Sequence, residues 1–107
     1  MARKGTGSAN EFSRLLNAEI RAEIARQRIS LREIEEKTGI SRSRISATIN
    51  RDEAPINTNE LDLLTKMLRI TASDVLASAE AKLLHMSNYA LAAESDDQPD
   101  LPEGEMY

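Results

Sequence analysis

The 107-residue sequence has no cysteine and no tryptophan, one histidine, one phenylalanine and two tyrosines. Without thiols, disulfide frameworks and thiolate metal sites are excluded. A lone imidazole makes no ligand cluster, and neither a phosphate-cradling glycine loop nor a nucleophile with a base at workable spacing occurs. No catalysis, metal or cofactor is therefore expected, and His85 reads as a helix-surface residue. Long apolar runs are missing too: the longest is the five residues Tyr89 to Ala93, and the first fourteen residues are basic and polar. Neither a membrane span nor a signal peptide is expected, and the expected location is the cytoplasm. Glycine and proline are scarce, at four and three, and only Gly39 and Pro55 lie between residues 9 and 93.

What is present is 40% hydrophobic and 30% charged, the composition of one small domain rather than two cores. The formal net charge of −4 would speak against a polyanionic partner, but the charges are unevenly spread. Residues 1–51 hold eleven bases and six acids, residues 52–93 three bases and six acids, and residues 94–107 six acids and no base. The last stretch, with two prolines, one glycine and almost nothing to bury, has the composition of a disordered acidic tail. Residues 1–8, with two glycines and the adjacent Arg3 and Lys4, read as a flexible basic arm. The domain between is expected over residues 9–93.

Caps and apolar periodicity predict five helices and no strand, an all-α class without internal repeats. Ser8-Ala-Asn-Glu11 has the form of a capping box, in which a hydroxyl and a carboxylate satisfy orphan amide donors, ahead of Leu15, Leu16, Ile20 and Ile24. Helix one is expected over 9–28. Ser30-Leu-Arg-Glu33 repeats the pattern for a short helix over 31–38, closed by Gly39 in the left-handed conformation. Ser41 can cap a third helix reaching Asn50, with Ile40, Ile45 and Ile49 as apolar contacts, and Pro55 breaks the pattern that follows. Asn57 or Thr58 caps a fourth helix through Leu61, Leu64 and Leu68. Thr71-Ala-Ser-Asp74 starts a fifth, reaching about Tyr89, with Val75, Leu76, Ala79, Leu83 and Met86 on one stripe.

Helices two and three, joined across Gly39-Ile40-Ser41, form a helix-turn-helix pattern. Ile34, Ile40 and Ile45 would meet between them and hold the third helix proud of the surface, where it can enter a major groove. At about 100° per residue, Arg42, Ser43, Ser46, Ala47 and Asn50 share one face, opposite Ile45, Thr48 and Ile49. Arg42 can pair with guanine, Ser43 and Ser46 can bond base edges, and Ala47 can touch a thymine methyl. Arg44, Asn50 and Arg51 are expected near phosphates. Any amphipathic surface helix shows a polar face; Gly39, the Ser41 cap and the three isoleucines favour the DNA-reading alternative.

The stretch Ser30 to Asn50 resembles the helix-turn-helix of the XRE family, that of the lambda repressor and Cro proteins. Leu61 to Ile70 followed by Thr71 to Leu76 is similar to that family's fourth helix and the start of its fifth, so the likeness covers about residues 14–78. It implies a five-helix DNA-binding domain, usually dimeric, that regulates transcription at paired half-sites. Carried over by position, it assigns base reading to Arg42, Ser43, Ser46 and Ala47, and backbone contacts to Ser41, Asn50 and the start of helix two. Three positions depart from the pattern. Leu31 stands where glutamine usually contacts the DNA backbone. Glu35 replaces a small alanine, so the helices sit apart or its carboxylate turns outward toward Arg44 or Arg32. Thr48 replaces a larger apolar residue.

Other segments leave alternatives open. Arg3 and Lys4 either follow the DNA as an arm or are an ordinary chain start. Leu83, Leu84 and Met86, with Leu91, either face a partner subunit or complete the core. Asn88 to Ala93 is similar to the end of the tag that bacterial tmRNA adds to stalled products, but fourteen residues follow it, and helix-forming Ala and Leu account for it. The acidic tail serves solubility or competes with DNA for the basic face. No large oligomerisation or self-cleavage domain is expected. The sequence is thus expected to encode a phage or prophage-type repressor that binds double-stranded DNA as a homodimer. The alternative is an antitoxin-like or adaptor protein that binds a protein partner through helix five and the tail and uses DNA only for autoregulation.

Overall fold

The structure, a computed structural model, describes Gly7 and residues 9–94, with side chains as far as Asn88. The arm residues Arg3 and Lys4, the side chain of Leu91 and tail residues 95–107 lie outside that description. Five helical segments follow one another, and no strand occurs among the described residues: α1 (Glu11–Gln27), α2 (Leu31–Thr38), α3 (Arg42–Ile45) continued by a π-helical turn (Ser46–Asn50), α4 (Thr58–Leu68) and α5 (Ala72–Glu94). The all-α reading and the five helices are therefore found.

Local chemistry sets the starts. Ser30 and Ser41 accept hydrogen bonds from the backbone N–H groups of Glu33 and Arg44 at 3.1 and 3.2 Å, each satisfying one of the donors a helix start leaves free. Asn57 makes a full capping box: its side chain accepts from Glu60 N at 2.7 Å, and Glu60 accepts from Asn57 N at 2.9 Å. Helix α1 begins two residues later than the Ser8 reading placed it. Asn10 is the cap, extended at φ −80° and ψ −177°, and accepts from Ser13 N at 2.9 Å. An asparagine caps as well as a serine, and Ser8 itself lies outside the described residues.

The helix ends hold a surprise of residue type. Arg28 and Arg69 both adopt the left-handed conformation, at φ 59° and 63°. In each case the following isoleucine N–H turns back to bond a carbonyl five residues earlier: Ile29 to Ile24 at 3.1 Å and Ile70 to Thr65 at 3.0 Å. That is the bond pattern glycine ordinarily supports. Arg-Ile-Ser and Arg-Ile-Thr thus each close one helix, and a hydroxyl then starts the next.

Leu16 and Ile20 of α1, Ile34 of α2, Ile40 of the turn, Ile45 and Ile49 of the α3 segment, Leu61, Leu64 and Leu68 of α4, and Val75 and Ala79 of α5 form one buried cluster. Helix α1 packs along α5, against α4 and against the π turn, while α2 packs against α3 and α4. Burying a leucine, isoleucine or valine side chain in this way stabilises by about 1.5–3 kcal/mol, and Ala79 contributes less. The expected stripe of α5 divides: Val75 and Ala79 are in the core, Leu83 is half-buried and Met86 is exposed.

Candidate nucleic-acid interface

The turn between α2 and α3 is built from three residues. Gly39 takes φ 80°, where an L side chain is strained, and its N–H bonds the Glu35 carbonyl at 2.8 Å. The Thr38 hydroxyl donates to the Ile34 carbonyl at 2.6 Å and accepts from Ile40 N at 3.1 Å. Ile40 then drops into the core and Ser41 caps the next helix. Ile34, Ile40 and Ile45, all buried, lie in one core.

Within the α3 segment Ile45, Thr48 and Ile49 are each only 1% exposed. Ser41, Arg42, Ser43 and Asn50 are exposed, and Ser46 and Ala47 are half-buried at the edge of the same side. The burial pattern therefore divides the segment as the helical projection does. The Ser41 hydroxyl, besides capping, lies 3.3 Å from that of Ser43.

Three departures from expectation concern this segment. First, it is not one regular helix. Arg51 N–H bonds the Ser46 carbonyl at 3.0 Å, five residues back, so the last turn is wide. Two side chains hold it. Thr48 donates its hydroxyl to the Arg44 carbonyl at 2.8 Å, a back-bond that tends to bend helices. Arg21 of α1 donates to the Ile49 carbonyl. Asp52 follows at φ 55° and accepts from Asn17 at 3.1 Å, with Arg21 Nη1 3.9 Å away.

Second, Arg44 points inward rather than to the expected phosphate side. Its Nε and Nη2 donate to Glu60 Oε2 and Oε1 at 2.7 and 2.9 Å, and Nη2 also donates to the Pro55 carbonyl at 3.1 Å. A bidentate pair of this form joins α3 to the first turn of α4 across the Pro55 loop. Burial of Glu60 is the largest single influence on its carboxyl and acts upward. The Arg44 bonds, the Asn57 N–H and the Arg44 charge together outweigh it and hold Glu60 below the usual carboxylate range, while Glu60 raises Arg44.

Third, Glu35 turns outward, but toward neither Arg44 nor Arg32. Its Oε1 lies 2.9 Å from Arg42 Nε. Arg51 is also held by a carboxylate, with its Nε 2.7 Å from Glu53 Oε2. Arg51 is raised and Glu53 lowered by that pair.

The basic half is consequently laced rather than bare. Arg21, Arg26, Lys37, Arg42, Arg44 and Arg51 each face a carboxylate. Among the described residues of that half, Arg14, Arg28 and Arg32 carry cationic groups outside these pairs. Beside the segment, Arg21, Ile24, Ile29, Leu31, Ile34, Ile45, Ile49 and Asn50 line a cleft of about 210 Å³. Leu31, which stands at the glutamine position of the resembled pattern, packs on the core there. Arg21 is the residue that sequence reasoning missed; an arginine on α1 carries no local sign that it will brace a carbonyl twenty-eight positions ahead.

On α5, Leu84 and Met86 are exposed to 57% and 41%. Leu83 is half-buried and joins Met86, Ser87 and Glu11 around a depression of about 240 Å³. Between Lys82 and Glu94 α5 carries no Asp, Glu, Lys or Arg. Among the described residues no group of His, Asp or Glu is placed to hold a metal ion, and no helix is long and apolar enough to cross a membrane. His85 is exposed.

No family model matches the chain, and no curated protein matches it. Among solved structures it is similar to the clp gene regulator ClgR from Corynebacterium glutamicum, with a TM-score of 0.64 and 24% identity over 77% of this chain and 87% of that one. The likeness is one of fold.

Proposed function

We propose that the protein is a sequence-specific DNA-binding regulator of transcription, a phage or prophage-type repressor of the XRE kind. It works in the cytoplasm as a homodimer that occludes a promoter. The observation that carries this reading is the α3 segment, projected by the Gly39 turn and anchored by Ile45, Thr48 and Ile49, with Arg42, Ser43, Ser46, Ala47 and Asn50 left on its outer side. The fold shared with a protein named as a gene regulator supports it. Each subunit lays this segment in a major groove, the two half-sites lying about 34 Å apart. Arg42, Ser43, Ser46 and Ala47 read bases. Ser41, Asn50 and Arg51, with Arg3 and Lys4, meet the backbone; Arg44 is withdrawn from that set because it is bidentate to the largely buried Glu60, whereas the Arg51–Glu53 pair is exposed.

The exposed Leu84 and Met86, with Leu83 beneath, form the subunit contact. The same patch supports a second reading, in which a partner protein sits on α5 and DNA binding serves autoregulation. Duplexes selected from genomic fragments and footprinted with the full chain test the first reading. Arg42→Ala and Asn50→Ala should each weaken binding to the selected site; if neither does, α3 is not the reading element. Co-purification of a tight partner masking residues 80–107, without a homodimer, would favour the second.

A further inference from the structure

Resting on the reading of α3 as the base-contacting element, we infer that Glu35 is a specificity-determining residue: it positions Arg42 and suppresses that arginine's affinity for DNA of any sequence. Arg42 is the first residue of α3, directly after the Ser41 cap. Glu35 sits on α2, and its backbone carbonyl receives the Gly39 N–H that closes the turn. The backbone connection between the two residues is thus short and fixed at both ends. The ion pair spans it at 2.9 Å, with both side chains about half exposed (58% and 40%).

The atom used decides what the pair can do. Glu35 faces Nε, the guanidinium nitrogen nearest the stem, which leaves the two terminal Nη groups as the pair that can be offered to a base edge as a fork. A guanine edge presents N7 and O6, two acceptors side by side, and the end-on fork of an arginine held by its stem matches them. A phosphate contact needs no such alignment, since it is won by charge from many directions. A carboxylate beside the guanidinium cancels most of that undirected attraction and leaves the directed one. Glu35 is also costly near DNA unless paired, so a displaced Arg42 exposes a negative charge to the polyanion. Both effects lower binding to wrong sequences more than to the right one, and that difference is what specificity consists of.

The test uses the full chain and duplexes selected from a randomised library. Preference at each base pair and the salt dependence on non-specific duplex are compared for wild type, Arg42→Ala, Glu35→Gln, Glu35→Ala and the Arg42→Ala/Glu35→Gln double variant. Thermal melts establish that each is folded; alanine is a good helix former at this half-exposed site. Arg42→Ala identifies the guanine position. Both Glu35 variants should relax preference at that same position by about tenfold, while non-specific affinity rises and its log–log salt slope steepens by roughly 0.9. In the double variant the Glu35 change should have no further effect on base preference. Wild-type preference retained in both Glu35 variants, or relaxed at other positions only, overturns the role of Glu35. A wild-type chain that selects no sequence overturns instead the reading of α3, and the inference with it.

Discussion

Arg44 separates two physical accounts of the same arginine. From its neighbours in sequence it belongs with the DNA phosphates; in the folded chain it ties α3 to α4. Substitution by methionine keeps most of the stem and removes the guanidinium. Glu60, 9% exposed, would then keep one of its three short bonds, that from Asn57 N, and the Pro55 carbonyl would lose its donor. Breaking a fully buried ion pair costs about 3–5 kcal/mol. Arg44 is 35% exposed in its side chain, so water can reach the vacated position, and we take about 2 kcal/mol. For a domain of roughly 80 residues, with a stability of about 4–12 kcal/mol, that is a large share. At an m-value of about 1 kcal/mol/M it moves the urea midpoint down by about 2 M.

The penalty should depend on pH in a defined direction. Glu60 is held below its ordinary value in the folded state, so its contribution is complete above the unfolded pKa of about 4.3 and fades as pH falls through the lower folded value. Urea titrations followed by circular dichroism at pH 7 and near pH 2.5 should therefore show a larger Arg44→Met penalty at pH 7. Binding to the selected duplex, measured below the melting transition, should keep its salt slope, whereas loss of a phosphate contact would reduce it by about 0.9. A penalty under about 0.5 kcal/mol at pH 7, or a reduced slope with unchanged stability, would refute the internal role.

Two further outcomes are expected. Gly39→Ala should destabilise by about 1 kcal/mol, lowering the melting temperature by roughly 4–8 °C, with Gly39→Asn losing less; the cost is one of backbone conformation alone, because nothing lies within 4 Å of the added carbon. Leu84→Glu and Met86→Glu should shift sedimentation from dimer to monomer and weaken operator binding without changing the melt of the monomer. Unchanged sedimentation of a wild-type dimer would move the subunit contact elsewhere.

The parts of this fold legible in the sequence are those whose causes are local. Ser30, Ser41 and Asn57 cap because a short polar side chain reaches an amide three residues on, and Gly39 marks its turn by residue type. The helical spacing of Ile45 and Ile49 is enough to tell the inner side of α3 from the outer. Long-range partners left no such trace. Glu60 lies sixteen residues from Arg44, and Arg21 twenty-eight from the carbonyl it braces. The left-handed helix ends at Arg28 and Arg69 were hidden for another reason: tertiary contacts of Ile29 and Ile70 with the core compensate a conformation that arginine disfavours by about 1–2 kcal/mol. Glu35 was legible as an irregularity, but which arginine it meets depends on how the turn aims α3.

The wide turn at Ser46–Asn50 changes how the outer side chains are phased. A turn closed five residues back advances less per residue than one closed four back, so positions beyond Ser46 lag the azimuth set by Arg42. Equal spacing in sequence thus ceases to mean equal bearing in space: Asn50 is rotated back relative to where a regular helix would carry it. If α3 reads DNA as proposed, side chains transplanted from a regular recognition helix onto residues 46–50 would be aimed at the wrong edge of the groove, and a base-reading code for this segment would have to be counted in angle.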